Sequence, residues 1–224
     1  MIRGVIFDLD GVVADSHPLH EEAWQALLSE QGVGPFSLDF IYSGLSRGEI
    51  LEHYLGPLSE DELEKLGQRK DDLFSSKIHR VQAQPNFLRA LDQLDAAGVR
   101  YALATSAGSG RTYEILRHFG ITGRFAAIVT NKDVSHPKPS PEAFLEAASR
   151  LGLVPQEVIV VEDSVAGVQA ARAAGMTSIG YAPAEKAKSL WDAGARDVIA
   201  GFPRDMMSYL QRLSETVPMP QTGD

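Results

Sequence analysis

Three short apolar runs decide most of what this chain can fold into, because each runs straight into polar side chains. Val5-Ile6-Phe7 leads into Asp8-Leu9-Asp10-Gly11, Tyr101-Ala102-Leu103-Ala104 into Thr105-Ser106, and Val158-Ile159-Val160-Val161 into Glu162-Asp163. Unbroken apolar runs of this length read as strands buried on both faces, the habit of parallel sheets. Open parallel sheets bind ligands outside the carboxyl ends of their strands. Acids and hydroxyls that follow successive strands would therefore gather along one sheet edge. Solvated turn aspartates before Gly11 are the competing reading for Asp8 and Asp10. That reading needs a separate coincidence at each of the other strand ends.

The pattern along the chain supports a parallel sheet. From Pro85 onward, predicted helices at 87–97, 111–119, 141–151 and 165–174 alternate with strands at 99–104, 126–130, 157–161 and 177–181. The helices close at Gly98, Gly120, Gly152 and Gly175, and glycine is the favoured residue just past a helix end. A strand near 197–200 and a helix at 204–213 complete the series. Strands alternating with helices imply right-handed crossovers. No strand signal falls between about 15 and 84. Helices are expected there at 18–31, 45–55 and 59–80, the first with Ser16 as cap and Pro18 in its first turn. The expected architecture is a Rossmann-like α/β core from 1–14 and 85–215, with a helical cap at 15–84. Residues 216–224 read as a disordered tail.

The chain has 224 residues, enough for a full core plus an insert. Its net charge of −9 argues against nonspecific binding to nucleic acid or an anionic membrane. An anionic substrate then needs a local basic site and a metal. There is no cysteine, which excludes disulfides and thiolate chemistry and fits a reducing cytosol. The first residues enter a strand containing acids, unlike a signal peptide, and no apolar run reaches membrane-spanning length. The expected location is the cytoplasm.

The strand-end residues suit phosphoryl transfer. Asp8 could attack phosphorus and Asp10 could shuttle the proton. A carboxylate cannot approach a charged phosphoryl group unaided, and Mg²⁺ bound by carboxylates and phosphate oxygens removes that barrier. Asp8 and Asp163 are the natural ligands, with Glu162 beside them. A lysine and a hydroxyl or backbone N–H would hold the other oxygens. Lys138 lies in His136-Pro137-Lys138-Pro139, where the prolines stiffen the loop.

These segments, with Lys138-Pro139-Ser140-Pro141-Glu142-Ala143-Phe144 and Glu162-Asp163-Ser164-Val165-Ala166-Gly167, resemble in order and spacing the haloacid dehalogenase superfamily of phosphotransferases. The resemblance covers roughly residues 2–200. It implies a nucleophilic Asp8, an acid/base Asp10, and phosphate contacts from Thr105, Ser106 and Lys138. It also implies Mg²⁺ on Asp8, Asp163 and the backbone carbonyl of Asp10, with Glu162 in the metal's shell.

Within the cap, Asp15-Ser16-His17-Pro18-Leu19-His20-Glu21-Glu22-Ala23-Trp24 is similar to the hinge and first cap helix of the β-phosphoglucomutase-like subgroup. That likeness implies that His20 couples substrate binding to cap closure. Gly44-Leu45-Ser46-Arg47 resembles the subgroup's cap loop, whose arginine binds a distal phosphate, and Lys70 resembles a cap lysine facing the active site. Each also has a structural reading: His20 as a packing residue, Arg47 as a helix-start residue, Lys70 as a partner of Glu64 or Asp71. The segment Thr105-Ser106-Ala107-Gly108-Ser109-Gly110-Arg111 departs from the mutases. It lacks their Lys-Asn pair and looks more like the loop of hydrolytic relatives. Gln84-Pro85-Asn86 stands where the subgroup usually has Pro-Gly, and asparagine can take the left-handed backbone that glycine takes.

The expected function is Mg²⁺-dependent phosphoryl transfer from a small phosphorylated metabolite, a sugar phosphate above all, through an aspartyl-phosphate. Water as acceptor makes a phosphatase; a sugar hydroxyl makes a β-phosphoglucomutase. A catalytically silent scaffold is the reading from another class, and Asp8, Asp10, Lys138 and Asp163 together speak against it.

Overall fold

The computed structural model describes residues 2–37 and 47–215. Gly44, Leu45 and Ser46 and the 216–224 tail lie outside the described residues. Strand β1 (Gly4–Phe7) is buried along its length and occupies the interior of a six-stranded sheet. It pairs in parallel with β4 (Arg100–Ala104) on one side and β6 (Val158–Glu162) on the other. The strands β5 (Ala127–Val129), β7 (Thr177–Tyr181) and β8 (Asp197–Ile199) complete the parallel order β5-β4-β1-β6-β7-β8. The Rossmann-like α/β class expected from the alternation is the class observed.

The period-2 alternation of strand side chains explains the two core layers. Val5 and Phe7 point to one face, where they join Phe87, Leu91 and Leu94 of helix α4 (Phe87–Ala96). Phe7 meets the Phe87 ring edge to face at 5.3 Å. Ile6 points to the other face, against Phe144, Ala147 and Ala148 of α6 (Glu142–Leu151) and Ala170 and Ala171 of α7 (Val165–Ala173). Alanines let those helices lie close to the sheet.

Between β1 and β4 the chain forms α1 (His17–Glu30), α2 (Arg47–Leu55) and α3 (Glu60–Ser75). They enclose their own apolar cluster of Trp24, Leu27, Leu28, Ile50 and Leu51. Two short strands, β2 (Ala14–Asp15) and β3 (Gln82–Ala83), pair antiparallel where the chain leaves and re-enters the main fold. These were absent from the sequence reading, because two residues carry no periodicity. Helix α3 also stops short of the expected residue 80. Ser59 and Glu62 form a capping box at its start, while at its end Ser76 Oγ donates to the Leu73 carbonyl and a separate 3₁₀ turn follows at Ile78–Arg80. Serine hydroxyls compete with the helix for backbone partners in this way.

Helix α5 (Ser109–His118) begins two residues earlier than expected, and α9 (Met206–Glu215) starts two later. Helix α8 (Ala184–Ala193) was not anticipated. Asn86 takes φ 63°, the left-handed backbone foreseen for it. Among the described residues, no helix is long and apolar enough to cross a membrane.

Candidate active site

The carboxyl ends of β1, β4 and β6 converge, and Lys138 reaches over from the loop before α6. Its ammonium donates to Asp8 Oδ1 at 2.6 Å, to Glu162 Oε1 at 2.6 Å and to the Ala104 carbonyl at 3.3 Å. It also lies 4.8 Å from the centre of the Phe144 ring. Burial alone would pull its proton off, but Asp8 and Glu162 outweigh burial and hold the lysine above its ordinary range. Thr105 is buried at the end of β4, where its Oγ1 accepts from the Ala107 amide at 3.0 Å. Thr105, Ser106 and Lys138 line one cavity of about 240 Å³, together with Asn131 and His136.

Glu162 is enclosed on all sides. Its second oxygen accepts from the Ser164 amide at 2.7 Å and from Ser164 Oγ at 2.9 Å. Ser164 Oγ in turn accepts from the Gly167 amide, capping α7. A Cβ on Gly167 would collide with the Glu162 carboxyl group. Asp163 faces the opposite wall, at Gly11, where φ is 78° and a side chain would strike the Asp163 carboxylate. His17 Nε2 lies 3.3 Å from Asp163 Oδ2.

Asp8, Glu162 and Asp163 each offer an oxygen within 4.8 Å of the others. An all-carboxylate oxygen set suits a hard divalent cation such as Mg²⁺. The protonation of the cluster fits the same conclusion. Burial, helped by the like charge of Glu162, raises Asp8 to about 7 against the pull of Lys138. Burial, then Glu162 and Asp8, raise Asp163 well above the carboxylate range. Three acids facing one lysine are short of positive charge, which a cation would supply.

Asp10 lies in a different environment. Its Oδ1 accepts from Ser16 Oγ at 2.6 Å and from Arg111 Nη1 at 2.9 Å, with His20 Nε2 at 3.3 Å. Burial would raise its pKa, but Arg111 and His20 prevail and hold it well below the usual value. Ser16 thus occupies the expected cap position of α1 but makes no side-chain cap; its hydroxyl is turned to Asp10 instead.

His20 stacks on Phe74 with ring centres 4.6 Å apart, and its Nδ1 lies 2.6 Å from Lys70 Nζ. The structure therefore gathers His20 and Lys70 beside Asp10. Arg47 has other contacts: it donates to the Gly67 carbonyl at 3.2 Å and pairs with Asp71 at 2.9 Å, both on α3.

The match to known sequences decides the family. The sequence model of the family described as "Haloacid dehalogenase-like hydrolase" covers residues 5–181. The chain belongs to that family. Hexitol phosphatase A of Escherichia coli (strain K12) is 33% identical over 184 residues, spanning 82% of this chain and 85% of that protein. The β-phosphoglucomutase of Bacillus subtilis (strain 168) is 33% identical over 190 residues, or 80% and 83% of the two chains. The crystal structure of a β-phosphoglucomutase from Clostridium difficile superposes with a TM-score of 0.81 at 29% identity, covering 96% of this chain and 98% of that one.

Arg111 is the residue of this haloacid dehalogenase-like hydrolase that sequence reasoning passed over. In the sequence it is only the last residue of the Thr105–Arg111 segment. Its side chain is 13% exposed and pairs with Asp10, 101 residues away in sequence.

Proposed function

We propose that this chain is a Mg²⁺-dependent phosphatase acting on small phosphorylated metabolites, sugar phosphates above all, through an aspartyl-phosphate on Asp8. The observation that carries this reading is the Lys138 ammonium lying between Asp8 and Glu162, beside an acid cluster fit for a hard cation. The relatives named phosphatase agree with it.

Asp8 would attack phosphorus, forming an Oδ–P bond as the bond from phosphorus to the ester oxygen breaks. Asp10 would give that oxygen its proton, then take one from the water that hydrolyses the aspartyl-phosphate and releases inorganic phosphate. Arg111 and His20 hold Asp10 ionised at rest, so Asp10 would take up a proton from solvent as substrate entry loosens their grip, and would pass that proton to the leaving oxygen. Lys138 and Thr105, with Ser106, would hold the oxygens of the transferred group. Asp8, Asp163 and the Asp10 carbonyl, with Glu162 in reach, would hold the cation. When bound, it neutralises charge between the nucleophile and the phosphoryl oxygens. Helices α1–α3 would act as a cap that excludes bulk water and selects the substrate.

A β-phosphoglucomutase is the second reading, kept because a protein of that name matches as well as the phosphatases do. Hydrolysis is favoured because Arg47, the expected grip for a second phosphate, is paired with Asp71, and because the Thr105–Arg111 segment lacks a Lys-Asn pair. The test is phosphate release from a panel of sugar phosphates with Mg²⁺. Free phosphate should accumulate without a primer, and Asp8→Asn should abolish it with an unchanged circular dichroism spectrum. Bisphosphate-dependent conversion of β-glucose 1-phosphate to glucose 6-phosphate, with little free phosphate, would overturn hydrolysis in favour of the mutase.

A further inference from the structure

The turn that carries Asp10 is braced by one residue from the far end of the helical insert. Within the turn, the Val13 and Ala14 amides donate to the Leu9 carbonyl at 3.0 and 2.9 Å, and the Gly11 amide donates to the Ala14 carbonyl at 2.8 Å. These bonds leave the carbonyls of Gly11 and Val13 without a partner inside the turn, although both residues are buried. Buried carbonyls need partners. Gln84, just past β3, supplies both. Its Nε2 donates to the Gly11 carbonyl at 3.0 Å, and its backbone amide donates to the Val13 carbonyl at 3.0 Å.

Gln84 is itself held. Its Oε1 accepts from the Tyr181 hydroxyl at 3.2 Å, and the Tyr181 ring, buried at the end of β7, lies 5.1 Å from that of Phe202. These partners fix which end of the amide faces Gly11, because a carbonyl can accept only from the amide nitrogen. Pro85 follows and favours an extended backbone at Gln84.

Gly11 is where this bracing meets the cation site. Its φ of 78° lays the turn against Asp163, so closely that a Cβ would strike the carboxylate. The neighbouring Asp10 lends its backbone carbonyl to the ligand set given above. A shift of the turn therefore changes the spacing between that carbonyl and Asp163. Groups that orient metal ligands without touching the metal tune affinity in this way.

We propose that Gln84 is a positioning residue for the turn that carries Asp10, that through Gly11 it sets the spacing of the cation ligands, and that Tyr181 holds it to that task. The second of these rests on the cation reading above.

Calorimetric titration of the protein with Mg²⁺ tests this. Gln84→Met keeps the length of the side chain but orphans the Gly11 carbonyl. It should weaken Mg²⁺ binding about tenfold or more, the usual scale for a group that orients a metal ligand. Tyr181→Phe leaves the Gly11 bond in place and should give a smaller loss. Tyr209→Phe is the control, since it removes a hydroxyl that donates to Asp197 at 2.8 Å on the edge strand β8. It should lower the urea midpoint without changing Mg²⁺ affinity. An unchanged affinity in Gln84→Met, or an equal loss in Tyr209→Phe, would overturn the proposal. If Gln84→Met does not fold, Tyr181→Phe carries the test alone: weaker binding supports the positioning role and unchanged binding overturns it. If the wild-type protein binds no Mg²⁺, the cation reading fails by itself. Amide hydrogen exchange across Leu9–Ala14 then decides whether Gln84 positions the turn. Faster exchange there in Gln84→Met than in Tyr209→Phe supports it, and equal exchange overturns it.

Discussion

Lys138 Nζ sits 2.6 Å from Glu162 Oε1, and both side chains are shut off from water. The other oxygen of Glu162 accepts from Ser164, so the carboxylate ties the Lys138 loop to the start of α7. Glu162→Gln removes the charge but leaves the shape. It should lower stability by about 3 kcal/mol, the low end for breaking a buried ion pair. A urea denaturation midpoint equal to wild type would show that the pair contributes nothing. If Glu162 acts mainly on Lys138, Mg²⁺ affinity should fall less in this variant than in Asp163→Asn.

The acid cluster makes a prediction for the metal-free protein. Asp163 has a raised pKa in the fold, so between its ordinary and its folded pKa the native state binds more protons than the unfolded chain. Stability therefore falls as pH rises through that range. Asp163→Asn removes the penalty. At pH 8 without metal the variant should be about 1 kcal/mol more stable, melting roughly 2–4 °C higher. Mg²⁺ should raise the melting temperature of wild type and do little for the variant. A metal response equal in both would remove Asp163 from the cation site.

Asp10→Asn should slow turnover by roughly 10²–10⁴-fold, the usual loss for a general acid/base. Esters with good leaving groups need little protonation, so they should lose less in the phosphorylation step. Single-turnover rates across a leaving-group series measure this, and a uniform loss would deny Asp10 the acid role.

Away from the site, Glu22 accepts from Arg80 at 2.7 Å and from Lys77 at 2.8 Å, which draw its pKa down to about 2. A depressed carboxylate contributes stability above its unfolded pKa, near 4.5, and loses it as pH falls toward the folded value. Glu22→Gln should therefore be less stable than wild type at neutral pH, by under about 1 kcal/mol for a half-exposed network. The gap should close between pH 4.5 and 2. Chemical denaturation at a series of pH values follows it, and a gap constant with pH would rule out this linkage.

The sheet was legible because buried parallel strands announce themselves as apolar runs, and Gly98, Gly120, Gly152 and Gly175 mark the helix ends between them. The acids stood out because they follow strand ends, and Lys138 because prolines frame it in a stiff loop. Helix α8 had its own signals, Pro183 before it and Gly194 at φ 106° after it, and they went unread. Arg111 and Ser16 escaped for a different reason. Their roles exist only when α5 and the turn before α1 meet over Asp10, and no local pattern encodes a meeting across 101 residues.

The interior position of β1 also bears on how the protein is made. Gly4 pairs with Arg100 and with Val158, so the strand carrying Asp8 is synthesised first and flanked on its second side only 154 residues later. At ribosomal speeds of ~5–20 residues per second, that interval is roughly 8–30 s. Through that time Val5, Ile6 and Phe7 lack at least one neighbouring strand. A nascent chain stalled before Val158 would leave that side of β1 as a sticky apolar edge open to chaperones or aggregation.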